Sequence, residues 1–159
     1  MGNRVANSAL GQPIAYYERV RNNDPGTAQL VIMLLRVAEA DAVLEDHDTF
    51  ADILAGGNTE ADFDNYARIA LDDTDLSAPT VDDVNGIVDA DIPDQTWANA
   101  GGTTDNTLVK AIVGYDPLGT NVNGNIVFLG HADYTPTTNG QALVLQIAAA
   151  GLFRAQHPA

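Results

Sequence analysis

The sequence predicts a mainly β protein of the α+β class, in which a helical N-terminal segment precedes an antiparallel β-sandwich or barrel-like domain. Two observations predict the β part. From about residue 60, apolar residues come in short runs between turn-forming clusters, and no pattern for a crossover helix follows. A third predicts the helix, because Ile14, Tyr17 and Val20 recur at intervals of three. We therefore expect an arm and helix over residues 1–23 and a single acidic β-rich domain over residues 24–159.

The first elements can be placed from turn and capping residues. Residues 1–11 are interpreted as a loose arm, and the helix should begin near Pro13, because proline is tolerated in a first helical turn. The turn-forming run NNDPG at 22–26 ends it. Six apolar residues at 30–35 have the length of a buried strand, although periodicity alone does not exclude a helix.

The later elements are a short helix and then strands. Asp48 is the predicted N-cap of a helix over 49–55, which Gly56 and Gly57 end. The predicted strands are 66–71, 86–88, 96–98, 107–115, 126–129 and 142–148. Aromatic residues in or beside them are expected in the core, namely Trp97, Tyr115, Phe128, Tyr134 and Phe153.

Charge is the most unusual bulk property. The net charge is −15, and residues 37–159 hold 20 of the 22 acids but only three of the seven cations. A body this acidic repels nucleic acids and anionic membrane surfaces, so neither is expected as a partner. The arginine-rich first 36 residues are the candidate contact for an acidic partner. The alternative is that these arginines only form the solvent-exposed face of a helix.

Two segments supply the candidate partner-binding residues. The N-terminal helix and arm supply Arg4, Tyr17, Arg19 and Arg21. Near the C-terminus, the small and apolar run AAAGLFR at 148–154 supplies Leu152 and Phe153. Small residues allow a close approach of another surface, which is either the protein's own sheet or a neighbouring subunit. Own-core burial is the favoured alternative.

The sequence carries no targeting segment that we recognise. Its longest apolar run, at 30–35, is far shorter than the roughly 18 residues that a membrane-spanning helix needs. The N-terminus lacks a hydrophobic signal core. We expect a soluble protein made in a cytoplasm.

No motif for catalysis or for a cofactor is found, so the expectation is a non-enzymatic protein. There are no cysteines, and the three histidines, His47, His131 and His157, form no zinc-binding pattern. Neither a nucleophile elbow nor a phosphate-binding glycine loop occurs. The one enzymatic alternative pairs His131 with Asp133, as in many His–carboxylate active sites, but without a nucleophile motif.

The acids between residues 72 and 94 raise the question of calcium. Calcium takes six to eight oxygen ligands, which loop carboxylates can supply, but the EF-hand pattern is absent. Solvated loops are the default interpretation, and no metal is expected. The weak calcium candidates are Asp73, Asp75, Asp89 and Asp91.

Four stretches of sequence resemble a recurrent group of small virion proteins of tailed bacteriophages. They are NYAR at 65–68, DQTWANAGGTTDNTL at 94–108, IVGYD at 112–116 and AAAGLFR at 148–154. The similarity is one of spacing and turn chemistry, extends over most of residues 27–155, and carries over no active-site residue.

The resemblance implies a virion structural role. The expected function is a capsid decoration or minor head protein that binds the outer capsid lattice, as a homo-oligomer whose partners are the major capsid protein or other virion proteins. The expected location is the virion, after synthesis in the host cytoplasm. The alternative is a tail- or fibre-associated module that binds the host surface.

Overall fold

The computed structural model describes residues 4–9, 11–148 and 151–156, apart from the side chain of Ser8. This part of the chain is mainly β, with three short α-helices and antiparallel sheets, which confirms the predicted fold class. Parts of two predicted segments lie outside the described residues, namely residues 1–3 and Leu10 of the arm, and Ala149 and Ala150 of the C-terminal apolar run. His157 lies outside them too.

The elements follow one another in a chain of short strands interrupted by three helices. The helices are α1 (Pro13–Arg21), α2 (Asp41–Leu44) and α3 (Phe50–Ala55). The strands are β1 (Arg4–Val5), β2 (Gln29–Val37), β3 (Thr59–Glu60), β4 (Ile69–Leu71), β5 (Thr80–Asp82), β6 (Ile87–Ala90), β7 (Gln95–Ala100), β8 (Lys110–Asp116), β9 (Val127–Asp133), β10 (Gln141–Leu145) and β11 (Phe153–Gln156).

A six-stranded antiparallel sheet forms the centre of the fold. Its order is β1-β9-β8-β2-β3, and β4 also pairs with β2. Strand β2 contains the apolar run 30–35, in which every residue is fully buried, so the prediction of a buried strand is confirmed. Burial on both faces explains why this strand reads as a continuous apolar run rather than an alternating one.

Two smaller sheets complete the β structure. Strands β10 and β7 form one, and β11, β6 and β5 form the other, all antiparallel. The six predicted strands correspond to β4, β6, β7, β8, β9 and β10, with boundaries shifted by at most four residues. Strands β1, β3, β5 and β11 were not predicted, because two to four residues leave too short a pattern to recognise.

The N-terminal helix is confirmed, but the loose arm is wrong for residues 4–9. Helix α1 begins at Pro13, and Tyr17 and Val20 on its inner face are fully buried. Strand β1 pairs with the edge of β9, where Arg4 lies opposite His131. The buried side chains of Ala6 and Ala9 then pack into the core, so this segment belongs to the body of the fold.

Helix α3 is capped by Thr49, not by the predicted Asp48. The Thr49 hydroxyl accepts a hydrogen bond from the Asp52 amide at 3.2 Å, and the Asp52 carboxylate accepts one from the Thr49 amide at 3.0 Å. These two bonds form a capping box. The helix then packs Phe50 against Gly114 of β8, where an added Cβ would lie 2.6 Å from the ring. Glycine therefore lets α3 approach the sheet closely.

The predicted aromatic core is confirmed. Its members are at most 9% exposed, namely Trp97, Tyr115, Phe128, Tyr134 and Phe153. Within the described residues, no helix is both long enough and apolar enough to cross a membrane.

Candidate functional site

Six charged or titratable side chains meet where β1 and α2 cover one face of β8 and β9. We call this group the His131 cluster, and it consists of Arg4, Asp41, Glu45, Lys110, His131 and Asp133. Cross-strand partners share a face of a sheet, and the register places Arg4, His131 and Ile112 side by side. Lys110 and Asp133 form the next pair of opposite residues on the same face.

Lys110 is the buried cation of the cluster. Its side chain is 8% exposed, and its ammonium group lies 2.6 Å from Asp133 Oδ1 and 2.7 Å from Asp41 Oδ1. Burial alone would lower the pKa of Lys110, but the hydrogen bonds to Asp133 and Asp41 outweigh it and raise that pKa. In return, the hydrogen bond from Lys110 lowers the pKa of the Asp41 carboxyl. Lys110 and Asp41 therefore stay ionised, and their ion pair joins β8 to α2.

Arg4 makes a second connection from β1 to α2. Its guanidinium lies 3.2 Å from Asp41 Oδ2 and 3.2 Å from Glu45 Oε1. The Asn7 amide adds a 2.8 Å hydrogen bond to the Glu45 carbonyl, and the Asn7 side chain bonds Asp46 at 2.6 Å. The arm and α2 are therefore held to each other as well as to the sheet.

His131 lies beneath these charges and is the most enclosed of them. Its side chain is 1% exposed and stacks on the Phe128 ring at 6.2 Å. Among the described residues, neither ring nitrogen has a hydrogen-bond partner, and the nearest carboxylate oxygen, Glu45 Oε1, is 3.5 Å from Nε2. Burial, together with the nearby Lys110 charge, lowers the pKa of His131, so the neutral imidazole is favoured.

The geometry separates the two residues of the enzymatic alternative. Asp133 is bound by Lys110 rather than by His131, although both project from the same face of β9. A catalytic dyad needs the carboxylate to accept a hydrogen bond from the imidazole. In this arrangement the cluster joins structural elements instead.

The partner-binding candidates are placed differently from one another. Tyr17 is fully buried, and its hydroxyl shares its one hydrogen between the Ser77 and Asp91 carbonyls, at 2.9 and 2.6 Å, so predicting it as a partner contact is wrong. Arg4 and Arg21 are bound by this chain's own acids, Arg21 by Glu18 at 2.8 Å. Arg19 is exposed on α1. Its neighbour is the Tyr115 hydroxyl, whose hydrogen bond raises the pKa of Arg19, and among the described residues it forms no ion pair with a carboxylate.

The C-terminal candidates lie in the protein's own core. Leu152 is 7% exposed and Phe153 is 6% exposed, which favours the own-core alternative over a subunit interface. Both residues border a cleft of about 570 Å³ between the central sheet and the segment 144–148. Ile32 and Val113 line it from the central sheet, and Arg4 and His131 of the His131 cluster border it as well.

The calcium candidates are not assembled into a site. Asp89 receives two hydrogen bonds from Arg154, at 2.6 and 2.8 Å, which occupy its carboxylate. Asp75 accepts a hydrogen bond from the Asp72 amide within a turn. Across residues 4–9, 11–148 and 151–156, no three acidic or histidine side chains are grouped so as to hold a metal ion.

A second enclosed ion pair also fixes the fold rather than opening a site. Arg68 contacts Glu60 through two hydrogen bonds of 2.6 and 2.7 Å and lies over the Phe50 ring at 5.5 Å. Its remaining nitrogen bonds Asn121 and Asn123. The sequence does not predict the bonds of Arg68 to Asn121 and Asn123, which lie more than 50 residues away, or the roles of Asp41 and Glu45, whose partners are also distant along the chain.

Comparisons with known proteins add no relationship. No protein-family model matches this chain, and no curated protein or solved structure matches it significantly.

Proposed function

We propose that this protein is a non-enzymatic structural component of a tailed-phage virion, a decoration or minor head protein that binds the outer capsid lattice. The proposal rests on the resemblance in sequence together with the distribution of charge in the fold. It gives the chain a scaffold role, in which the antiparallel sheets present a fixed surface to repeated sites on a particle.

One structural observation supports it most. Six of the seven cations form ion pairs with this chain's own carboxylates, and those pairs occupy seven of the 22 acids. The surface is therefore strongly negative, and its cations are largely neutralised from within. Such a surface avoids packaged DNA, and it leaves Arg19 on α1 as the cation outside these ion pairs that can contact an acidic site on the capsid.

The first experiment is co-sedimentation of the purified full-length protein with phage heads that lack it, and in parallel with tails of the same phage. We expect saturable binding to heads, with a stoichiometry that gives the copy number, and affinity that falls as salt increases. Light scattering of the free protein would test the proposed homo-oligomer. Binding to tails or host cells but not to heads would replace this proposal with the host-surface binding module.

The docking surface can be tested with point substitutions. Deleting residues 1–23 would remove the buried Tyr17 and Val20, so loss of binding would not distinguish docking from unfolding. Arg19→Ala removes an exposed cation from α1, and we expect it to weaken head binding. Arg36→Ala is the matched control, because Arg36 is already paired with Asp62 at 3.2 Å. Equal binding by both variants would exclude α1 as the docking surface.

A further inference from the structure

The His131 cluster contains a buried base that its surroundings hold in the neutral form. The imidazole is 1% exposed, and its ring nitrogens have no hydrogen-bond partner among the described residues. Asp41 and Glu45 favour the charged form of this imidazole, but burial and the Lys110 charge outweigh them, so protonation is either resisted or followed by a structural change.

Charged groups face His131 from every element packed against it. Arg4 lies on β1, Asp41 and Glu45 on α2 and at its end, Lys110 on β8, and Asp133 on β9. Glu45 Oε1 is the nearest acceptor, at 3.5 Å, but it also binds the Arg4 guanidinium at 3.2 Å. A protonated imidazole would therefore compete with Arg4 for the carboxylate that holds β1 to α2.

The elements above His131 have fewer attachments than the strands beneath it. Strand β1 contributes two residues to the sheet, segment 4–9 buries Ala6 and Ala9, and α2 contains one buried side chain, Leu44. By contrast, β2, β8 and β9 pair over most of their lengths beneath the cluster. Segments with few buried contacts open at lower free energy than the rest of a fold.

We propose that protonation of His131 opens the junction between the sheet and the covering segments 4–9 and 41–47, while the central sheet stays folded. The protein thus contains an acid-sensitive joint on one face of its scaffold. Opening lets water reach the imidazolium and separates Arg4 from Glu45. In a particle that meets acidic surroundings, such a joint would alter the surface formed by β1 and α2 without unfolding the domain.

The pH range follows from the direction of the titration. The pKa of His131 is lowered by burial and by Lys110 when the junction is closed, and it returns toward about 6.5 when the junction opens. The open state therefore binds the proton more tightly. The closed junction keeps its full stability above pH 6.5 and loses it as the pH falls toward the lowered pKa, by up to about tenfold in the opening constant per pH unit.

The test is amide hydrogen exchange of the full chain between pH 4.5 and 7.5, corrected for intrinsic exchange rates, with NMR titration of the imidazole. We expect protection of residues 4–9 and 41–47 to fall as His131 titrates, while protection of β2 and β8 is unchanged. His131→Phe should make the loss disappear, and His131→Gln is a second variant in case phenylalanine disturbs the packing. His47→Gln, which alters the separate His47–Glu39 pair, should keep the loss.

Two further variants change the size of the acid-induced loss in opposite directions, each compared with its own protection at pH 7.5. Lys110→Met removes a charge that lowers the pKa of His131 in the closed junction, so the closed and open values come closer and less protection should be lost. Glu45→Gln removes a charge that raises that pKa, so the two values move apart and more protection should be lost. The proposal is overturned if His131 titrates without loss of protection, if His131→Phe and His131→Gln both leave the pH profile unchanged, or if β2 and β8 open together with the covering segments.

Discussion

Different interactions hold the central strands β2, β8 and β9 and the loop end of the molecule. By the loop end we mean residues 62–66, 99–106 and 136–140. The strands are buried almost throughout and form long antiparallel ladders. The loop end is largely exposed and is held by side chains bonded to backbone amides.

Asp64 and Asn106 are the principal side chains of the loop end. The Asp64 carboxylate accepts hydrogen bonds from the Thr103 and Thr104 amides at 2.9 and 3.1 Å. Asn106 accepts one from the Asp62 amide at 2.8 Å and donates one to the Asp62 carboxylate at 2.9 Å. The comparison teaches that side-chain burial and backbone pairing together stabilise the sheet, whereas the loop end depends on a few specific side-chain hydrogen bonds.

The largest loss of stability should come from shortening a buried side chain in the central sheet. Leu34→Ala removes a fully buried side chain of β2, and we expect the free energy of unfolding to fall by about 2–5 kcal/mol in urea denaturation. Val81→Ala on β5, where the side chain is 60% exposed, should change it by less than about 0.5 kcal/mol. Similar losses in the two variants would show that burial does not distinguish these sheets.

A smaller loss is expected at the loop end. Asn106→Ala leaves the Asp62 amide without its acceptor in a site where the asparagine is 7% exposed, and should cost about 1–3 kcal/mol in the same assay. Asn85→Ala is the control, since its hydrogen bond to Asp82 lies on an exposed hairpin. If the loss at Asn106 does not exceed that at Asn85, the loop end does not depend on this side chain.

The smallest effect on stability is expected at Asp64, and it should depend on pH. Hydrogen bonds from the Thr104 and Thr103 amides lower the pKa of Asp64, so its contribution is present above the unfolded value of about 3.9 and is lost as the pH falls below it. Asp64→Asn should be less stable than the wild type at pH 7, and the difference should shrink toward pH 2. A difference that stays constant from pH 7 to pH 2 would contradict this role.

The same contrast explains which parts of the fold could be predicted from the sequence. The run 30–35, the helix from Pro13 and the aromatic core were identified because burial leaves a local pattern of apolar residues. The edge strands β1 and β5 leave no such pattern. Their pairing with β9 and β6 depends on the path of the whole chain.

The candidate site was predicted only in part. His131 and Asp133 were singled out because they are close in sequence, but Asp133 is bound by Lys110, and the acids nearest His131 come from α2. Such pairs arise from tertiary contacts between residues far apart in the chain. Tyr17 is a partner-binding candidate in the sequence for a related reason, since the carbonyls that bind its hydroxyl come from distant loops.

The close packing of Phe50 on Gly114 has a consequence for recognising distant relatives. Any side chain at position 114 would press on this ring and on Ile126, so α3 could no longer rest on β8 in the same way. A glycine within an otherwise apolar strand, combined with an aromatic residue at the start of a capped helix, is therefore a pair that relatives sharing this packing should retain. That pair could serve as a sequence marker for this fold where overall similarity has been lost.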